Sequence, residues 1–504
     1  MKNALVGDEH SYKRKFVELA MATKMSNEWT KDDIMAAYLN TIYFGRGAYG
    51  VAAASQAYFR KDVRKLTTEE SAVLAASIRS PANYDPQTNP ELARQRWDYV
   101  LDGMVSIGAI TQAERDTMKY PKVVKYTEGG AQQDDGPMGL VKRQVLAELG
   151  TLNITEQQVR TDGLKITTTI KKQNQKALVD AAKSKLADYP KTTRTGIVSI
   201  DPSTGGISGY YGGTDGQGWD YASAGLQTGS SFKVFALIAA LEQGMGLGYM
   251  VDSSPLTVNN VKITNVEGEG CGTCNIAEAL KRSLNTSFYR LMLKLKNGPV
   301  DVADAAHRAG IAKSFPGVDH TLSEDGQGGP PGNGIVLGQY QTRVLDMASA
   351  YATIAASGVY RTPHFVQKVV NAKGEVLFDA STQDNSGEQR ISKAVADNVT
   401  AAMQPIAGWS NGHNLAGGRP SAAKTGTNQL GDTDANRDAW MVGFTPSLST
   451  AVWVGTVNGD KPLVNQWGGP VYGSGLPSNI WKATMDGALQ GTDWESFPKP
   501  TEIG

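Results

Sequence analysis

The chain has 504 residues, and its 50 lysines and arginines are balanced by 50 aspartates and glutamates. This length exceeds that of one ordinary domain and predicts two or three. The balanced charge gives no reason to expect a nucleic acid or an anionic surface as a partner. Hydrophobic residues make up 40% of the chain, enough for sizeable cores. No run of about 18 apolar residues could cross a membrane, and Met1 opens a polar stretch without a signal-peptide pattern.

The first 118 residues are predicted to be mostly helical. Residues 31–39 and 67–76 each follow a capping residue and show an amphipathic pattern. An aromatic, glycine-rich segment, residues 43–50, separates them. Residues 119–190 contain a polar run and are predicted to be a linker module. A second large domain is expected at 191–490, followed by a tail at 491–504 whose last seven residues are expected to be disordered.

Ser230-Ser231-Phe232-Lys233 is the first of three short motifs in the second domain that together predict an acyl-transfer site. The apolar residues that follow it recur at helical spacing and stop at Gly244. Ser230 and Lys233 are therefore expected one turn apart, where the amine can take the proton of the hydroxyl. This pair predicts a nucleophile and its base.

The second and third motifs predict the rest of the site. Ser283-Leu284-Asn285 lies between two helical patterns, so it is expected to be a loop that points Ser283 and Asn285 into a cleft. Lys424-Thr425-Gly426, followed by Thr427, is expected on an exposed strand, with residues 438–444 and 450–455 as antiparallel neighbours. A lysine and two hydroxyls on a strand edge suit a substrate carboxylate.

Two other serines match nucleophile motifs, and we interpret both matches as chance. Ser421 and Lys424 form a second S-x-x-K, but the residues that follow predict a polar strand and no helix. Ser410 lies in a G-x-S-x-G sequence at residues 408–412. That motif needs a strand before it and a helix after it, whereas a helical pattern precedes it here and a Gly/Pro-rich segment follows.

The chain's two cysteines, Cys271 and Cys274, leave three interpretations open. They could form a small structural disulfide in an oxidising compartment, remain free thiols, or act as a metal or redox pair. A zinc site would need two further ligands, and none of the five histidines stands at ligand spacing nearby.

The order of the three motifs resembles that of penicillin-binding proteins and related β-lactamases, and the chain as a whole resembles a class A, bifunctional penicillin-binding protein. The resemblance implies an α/β fold of the α+β type, in which a central antiparallel sheet is flanked by helices. It also implies a mostly α-helical, partial glycosyltransferase domain before it. One departure is Thr228, because the family usually has proline before Gly229.

The resemblance also covers the later part of the family's glycosyltransferase domain. It is carried by residues 14–18, 31–40 and 96–101. It implies that the remnant of that site is Arg14, Lys15, Glu18 and Asn40. Ala36 and Trp97 depart from the family's usual Glu and Arg. The family's opening motifs, with the Glu for acid/base chemistry, are not found before Arg14, so the chain is expected to begin inside that domain and not to polymerise glycan strands.

The resemblance implies a role for each motif residue of the second domain. Ser230 would attack a D-Ala-D-Ala amide, neutral Lys233 would act as base, and Ser283 would relay the proton to the leaving amine. Asn285 would hold the donor peptide. Lys424, Thr425, Gly426 and Thr427 would bind the substrate's terminal carboxylate, and the backbone N–H groups of Ser230 and Thr427 would form the oxyanion hole.

The partners implied are peptidoglycan stem peptides, lipid II and β-lactam antibiotics, with no cofactor, metal or nucleic acid. The implied location is the extracytoplasmic face of the bacterial cell membrane, with attachment through a segment that this sequence lacks. Three alternatives remain open: a D,D-carboxypeptidase, a β-lactamase-like hydrolase and a non-catalytic peptidoglycan-binding scaffold. A class A β-lactamase would need a glutamate to activate water, and we find no convincing candidate between Asn285 and Lys424.

Overall fold

The computed structural model describes residues 29–125, 136–384, 386–431 and 433–504. The chain divides into two compact units. Within the described ranges, the smaller contains residues 29–125, 149–166 and 368–378, and the larger contains residues from 136–148, 167–367 and 379–504. No helix in the described ranges is both long and apolar enough to cross a membrane.

The N-terminal part of the smaller unit is helical, as its sequence predicts. Its helices are α1 (Lys31–Thr41), α2 (Val51–Phe59), α3 (Thr68–Ser77), α4 (Pro90–Ser106) and α5 (Gln112–Thr117), and a short hairpin joins β1 (Tyr43–Gly45) to β2 (Ala48–Tyr49). Thr67 caps α3 in a reciprocal capping box with Glu70, which satisfies backbone donors at the helix start. Among the residues buried on α3 are Val73 and Leu74, as the amphipathic pattern predicts.

Two features of this unit bear on the sequence analysis. α1 begins with a capping box between Thr30 and Asp33, and its residues are exposed or half-buried, with Leu39 packed partly against the core of the unit. Trp97, which replaces the family's usual arginine, is 3% exposed in the core of the unit, and its indole donates a 3.0 Å hydrogen bond to the carbonyl of Glu69. Trp97 is therefore a packing residue.

The remaining elements follow in chain order. The helices are α6 (Pro137–Thr151), α7 (Glu156–Thr161), α8 (Lys172–Lys185), α9 (Lys233–Glu242), α10 (Ile276–Lys281), α11 (Asn285–Lys294), α12 (Pro299–Ala309), α13 (Val344–Ala355), α14 (Lys393–Met403), α15 (Ile406–Trp409) and α16 (Leu476–Ala488). The strands are β3 (Lys165–Thr168), β4 (Thr193–Ile200), β5 (Ile207–Tyr211), β6 (Leu226–Gln227), β7 (Met250–Asp252), β8 (Leu256–Val258), β9 (Val261–Ile263), β10 (Thr273–Asn275), β11 (Gln341–Thr342), β12 (Val359–Tyr360), β13 (Val366–Val370), β14 (Val376–Asp379), β15 (Glu388–Gln389), β16 (Ala422–Gln429), β17 (Asn436–Thr445) and β18 (Leu448–Thr456).

A five-stranded antiparallel sheet forms the centre of the larger unit, in the order β16-β17-β18-β4-β5. β16 lies at one edge and carries the third motif, with Lys424 opposite Val442 and Thr427 opposite Ala439. The antiparallel neighbour predicted at 438–444 is confirmed, whereas residues 450–455 lie one strand further away, in β18, which pairs with β17. The strand is at the edge of the sheet, but the exposure expected for it is wrong at Lys424, whose side chain is buried. A turn after residue 200 joins β4 to β5, and in it Gly205 adopts a φ of +77°.

Helices cover both faces of this sheet, which confirms the predicted fold class. α8 and α16 pack on one face, where Leu178, Met441 and Trp481 share a core. α13 packs on the other face, and its Tyr351 ring lies 6.3 Å from that of Phe444. Side chains alternate between faces along each strand, so one sheet can serve two cores.

Two findings bear on the segments that flank the second domain. α8 precedes the boundary expected at residue 190 and packs into the core of the larger unit; the boundaries themselves stay predictions. The tail lacks helices and strands, but the disorder expected for its last seven residues is wrong. Asn398, which is buried, donates a 2.6 Å hydrogen bond to the carbonyl of Thr501, so the end of the chain is held in place.

Candidate active site

Ser230 lies in a single 3₁₀ turn, Gly229–Phe232, that leads directly into α9. Lys233 is the first residue of that α-helix, and its Nζ lies 2.8 Å from Ser230 Oγ. The two residues are one turn apart, as their spacing predicts. The tight turn rather than a regular α-helix carries the serine.

The environment of Lys233 favours a neutral amine. Its side chain is fully buried, and that burial, followed by the charge of Lys424, holds its pKa well below the ordinary value of 10.5. Besides Ser230, Nζ contacts two carbonyl oxygens, the backbone oxygen of Ser283 and Oδ1 of Asn285, each at 2.7 Å. A neutral amine has two N–H donors and one lone pair. The carbonyls can only accept, so they take both donors and leave the lone pair for the hydroxyl of Ser230.

Ser283 connects the two lysines of the site. It lies in the loop between α10 and α11 with a φ of +59°, a left-handed conformation that is uncommon for serine. Its Oγ lies 2.8 Å from Lys424 Nζ and 3.4 Å from Lys233 Nζ. Lys424 also donates to the carbonyl of Thr425 at 3.0 Å. Burial lowers the pKa of Lys424 to about 7.

Asn285 is held by contacts on both sides of its amide. Its Nδ2 donates to the carbonyl of Thr264 at 3.1 Å, while Oδ1 accepts from Lys233. Because Thr264 offers only an acceptor, this bond fixes which end of the amide faces the lysine. The loop predicted for the second motif therefore brings Ser283 and Asn285 to the same amine.

Two glycines allow the nucleophile turn to lie against β16. A Cβ on Gly426 would stand 2.2 Å from the carbonyl oxygen of Thr228, and one on Gly229, which has a φ of +56°, would stand 2.3 Å from that of Thr427. No side chain fits such a backbone approach. The close contact places Ser230 beside Thr427 at the edge of the sheet.

Thr228, where the family usually has proline, is buried and donates its backbone N–H to the carbonyl of Gly338 at 3.2 Å. Proline could not make this bond. The Thr228 hydroxyl has no hydrogen-bond partner among the residues that the structure describes. The backbone bond to Gly338 offsets part of the cost of burying that hydroxyl.

The structure also reveals a set of positioning residues that the sequence analysis missed. The Oε1 atom of Gln227 accepts from Arg437 Nη2 at 2.8 Å and from the amide of Asn428. The backbone oxygen of Gln227 accepts from the indole of Trp440 at 2.7 Å. These bonds tie the segment before Ser230 to β16 and β17. Asn428 directly follows the third motif, but nothing local in the sequence identifies its partner.

The motif residues line a cleft of about 470 Å³. Its walls include Ser230, Ser283, Asn285, Thr425, Gly426, Thr427, Trp409, Lys281, Arg282, Glu267, Glu269 and Tyr472. Lys233 and Lys424 lie behind this surface, fully buried.

Neither of the other two serines has a comparable setting. Ser410 lines the cleft, but it follows the one-turn helix α15, with no strand before it and a 3₁₀ turn after it. Ser421 is buried just before β16, and no helix follows it. The geometry expected for a nucleophile elbow or for a second serine–lysine pair is absent at these two positions.

Cys271 and Cys274 are joined in a disulfide with their Cα atoms 5.9 Å apart. The backbone N–H of Cys271 donates to Ser253 Oγ at 2.9 Å. The preceding loop contributes Glu267 and Glu269 to the wall of the cleft. The structure therefore agrees with the first of the three interpretations of the cysteine pair, a structural disulfide.

The structure describes only part of the expected glycosyltransferase remnant. Arg14, Lys15 and Glu18 lie outside the described residues. Asn40 is exposed near the end of α1. Gly50, with a φ of +79°, approaches it so closely that a Cβ there would stand 2.5 Å from the carbonyl oxygen of Asn40.

Comparison with known proteins identifies two family segments. A family model described as transglycosylase matches residues 1–105, and one described as penicillin binding protein transpeptidase domain matches residues 195–485. The second covers more than half of the chain and contains all three motifs.

Individual relatives agree with these matches. The chain is 68% identical over 510 residues to penicillin-binding protein 1A of Mycolicibacterium smegmatis, covering 100% of this chain and 65% of that protein. It is 67% identical over 510 residues to penicillin-binding protein 1A of Mycobacterium tuberculosis, a match that covers 100% of this chain and 62% of that protein. The chain thus spans less than two thirds of the length of either relative.

A solved structure extends the likeness to three dimensions. The PonA1 protein from Mycobacterium tuberculosis in complex with penicillin V is 72% identical, with a TM-score of 0.72 over 73% of this chain and 97% of that one. The motifs, the fold and the two family matches agree, and the chain belongs to the class A penicillin-binding proteins.

Proposed function

We propose that this chain is a peptidoglycan D,D-transpeptidase that works through an acyl-enzyme on Ser230. The observation that carries the proposal is the contact of 2.8 Å between Ser230 Oγ and Nζ of the fully buried Lys233, whose two other contacts shorter than 3 Å are carbonyl oxygens. The likeness to the PonA1 complex with penicillin V supports it.

Acylation begins when Ser230 Oγ attacks the carbonyl carbon of the D-Ala-D-Ala amide and its proton passes to Lys233 Nζ. The tetrahedral oxyanion is held by the backbone N–H groups of Ser230 and Thr427. When the C–N bond breaks, the leaving amine takes a proton from Lys233 through the hydroxyl of Ser283. Ser283 Oγ lies 3.4 Å from Lys233 Nζ. The products are an ester on Ser230 and free D-alanine.

The terminal carboxylate of the donor binds at β16. Lys424, with Thr425 and Thr427, offers one charge and two hydroxyls at the strand edge, and Gly426 permits the close backbone approach. A bound carboxylate favours the charged form of Lys424, whose pKa is lowered to about 7 by burial. Asn285 holds the peptide backbone of the donor beside Lys233.

A second stem peptide supplies the amine that takes the acyl group from Ser230 and completes the crosslink. A β-lactam acylates the same serine, but its leaving nitrogen stays tethered to the acyl group, so no acceptor can enter. We propose that the enzyme acts at the extracytoplasmic face of the bacterial membrane, where stem peptides and lipid II are present.

The test measures how the acyl group on Ser230 is divided between two acceptors, water and a D-amino acid. The chain is incubated with a peptide ending in D-Ala-D-Ala and increasing concentrations of a D-amino acid, and the exchange and hydrolysis products are separated by mass spectrometry. We expect exchange to rise at the expense of hydrolysis, Ser230→Ala to lose both products, and the control Ser421→Ala to retain them. Hydrolysis alone at every concentration would assign a carboxypeptidase. Absence of any acyl-enzyme would assign a non-catalytic scaffold.

A further inference from the structure

Trp409, Lys281 and Arg282 stand together on the wall of the cleft that contains Ser230. We infer that these three residues form a subsite for the side chain of the acyl donor, and that the subsite favours an apolar group carrying a negative charge. The inference deepens the proposed function and rests on it. It assigns a determinant of donor specificity outside the three motifs.

Trp409 provides an uncovered aromatic surface inside the cleft. It is 52% exposed, and of the tryptophans in the described part of the chain it is the one that lines this cleft. An indole at a cleft wall offers a large, rigid apolar area that gains stability when a ligand covers it. The position of Trp409 beside Ser230, Thr427 and Tyr472 in that cleft makes a bound donor the ligand within reach.

Two cations flank the ring of Trp409. Lys281 Nζ lies 4.8 Å and Arg282 Cζ 5.5 Å from the ring centroid, both within the range of cation–π contact. These residues immediately precede Ser283, so the loop that positions Ser283 also positions them. A substrate that reaches Ser283 therefore passes close to both cations.

Glu278 orients the two cations without cancelling both charges. Its carboxylate lies 2.6 Å from Lys281 Nζ and 2.6 Å from Arg282 Nε. One negative charge between two positive charges leaves one in excess. Lys281 and Arg282 keep 23% and 35% of their side-chain surface exposed, so both can still meet a ligand.

Glu267 and Glu269 line the same cleft, and in the described part of the chain neither forms an ion pair with Lys281 or Arg282. With Glu278 they make three negative charges against the two cations, so the preference for an anion depends on direct contact of a ligand carboxylate with Lys281 Nζ and the Arg282 guanidinium and not on a net positive field. The preference is therefore expected to be modest, comparable to that of an exposed ion pair.

The orientation of the donor explains why its acyl side chain meets this wall. The donor's carboxylate end is fixed at β16 and its carbonyl carbon at Ser230, so the acyl part continues toward Asn285 and the wall beyond it. Trp409, Lys281 and Arg282 belong to that wall.

Three penicillins that differ at one carbon test the charge preference: α-carboxybenzylpenicillin, benzylpenicillin and α-aminobenzylpenicillin. The second-order acylation rate of each is measured on the full chain by competition with a fluorescent penicillin. We expect the carboxy compound to be favoured over the amino compound, and Lys281→Gln and Arg282→Gln each to reduce that ratio by about two- to fivefold. Lys294→Gln removes the same charge from an exposed position on α11 outside the cleft and should leave the ratio unchanged.

The aromatic part has its own test. Trp409→Leu should lower the acylation rate of benzylpenicillin by about fivefold, from the loss of an aromatic contact, and leave that of 6-aminopenicillanic acid, which has no acyl side chain, unchanged. Normal acylation with unaltered ratios in the lysine and arginine variants, or an equal effect of Trp409→Leu on both compounds, would overturn the subsite alone. Failure of all these compounds to acylate Ser230 of the wild type would overturn the proposed function and the subsite together.

Discussion

The charge of Lys424 should control the pH at which Lys233 becomes a base. Both amines contact Ser283 Oγ, at 2.8 Å for Lys424 and 3.4 Å for Lys233, so they cannot be farther apart than these two contacts combined. At about 6 Å, two unit charges repel by roughly 0.7 kcal/mol at the dielectric constant of water and by about 2.8 kcal/mol at an effective value of 20. These energies correspond to roughly 0.5 to 2 pH units.

The sign follows from the charges. Lys233 acts as base only when neutral, so acylation should rise with pH as Lys233 loses its proton. Burial is the larger cause of its lowered pKa and remains in a Lys424→Met variant, but the repulsion from Lys424 is lost. The protonated form of Lys233 then becomes more favourable, its pKa rises, and the acidic limb of the pH profile should move to higher pH by roughly 0.5 to 2 units.

The assay is stopped-flow acylation by a fluorescent penicillin between pH 4 and pH 9. Lys424 has a pKa of about 7, so it carries its charge on the acidic side, where the limb is measured. Lys424→Arg keeps the charge and serves as the matched control, with a limb expected at the wild-type position. A limb that stays in place in Lys424→Met, or that moves equally in both variants, would refute the electrostatic coupling.

Three further predictions concern the base, the oxyanion hole and the smaller unit. Lys233→Met should slow acylation by about 10²- to 10⁴-fold with little change in initial binding, which stopped-flow kinetics separates. Gly426→Ala places a methyl group 2.2 Å from the backbone oxygen of Thr228, which should displace the oxyanion donor of Thr427 and slow acylation by about 10²- to 10³-fold. The control Gly103→Ala, in open space on α4, should leave the acylation rate unchanged. Trp97→Ala should destabilise the smaller unit by about 3 to 5 kcal/mol in denaturant titrations, whereas Tyr99→Ala, at a 64% exposed position, should change stability little.

The parts of the site that could be predicted from sequence are those set by local spacing. Ser230 and Lys233 meet because three residues make one helical turn, and residues 436–445 and 448–456 pair because their alternation and the short turn between them define a hairpin. The pairing of the third motif's strand with residues 436–445 could be predicted in the same way.

The rest depends on contacts between distant residues. The bonds of Gln227 to Asn428 and Arg437 join segments about two hundred positions apart in the chain, and nothing in either segment identifies the partner. The local sequence around Trp409 does not indicate its role, because its approach to Lys281 is a contact between residues 128 positions apart in the chain. The ordered tail was missed for a similar reason, since its partner is a side chain of α14.

The most direct test of the central claim is to locate the covalent adduct. The chain is treated with a fluorescent penicillin, its intact mass is measured, and the modified peptide is sequenced by mass spectrometry. We predict one adduct, on the peptide that contains Ser230, and none in Ser230→Ala. An adduct that survives this substitution, or that lies on Ser410 or Ser421, would contradict the assignment.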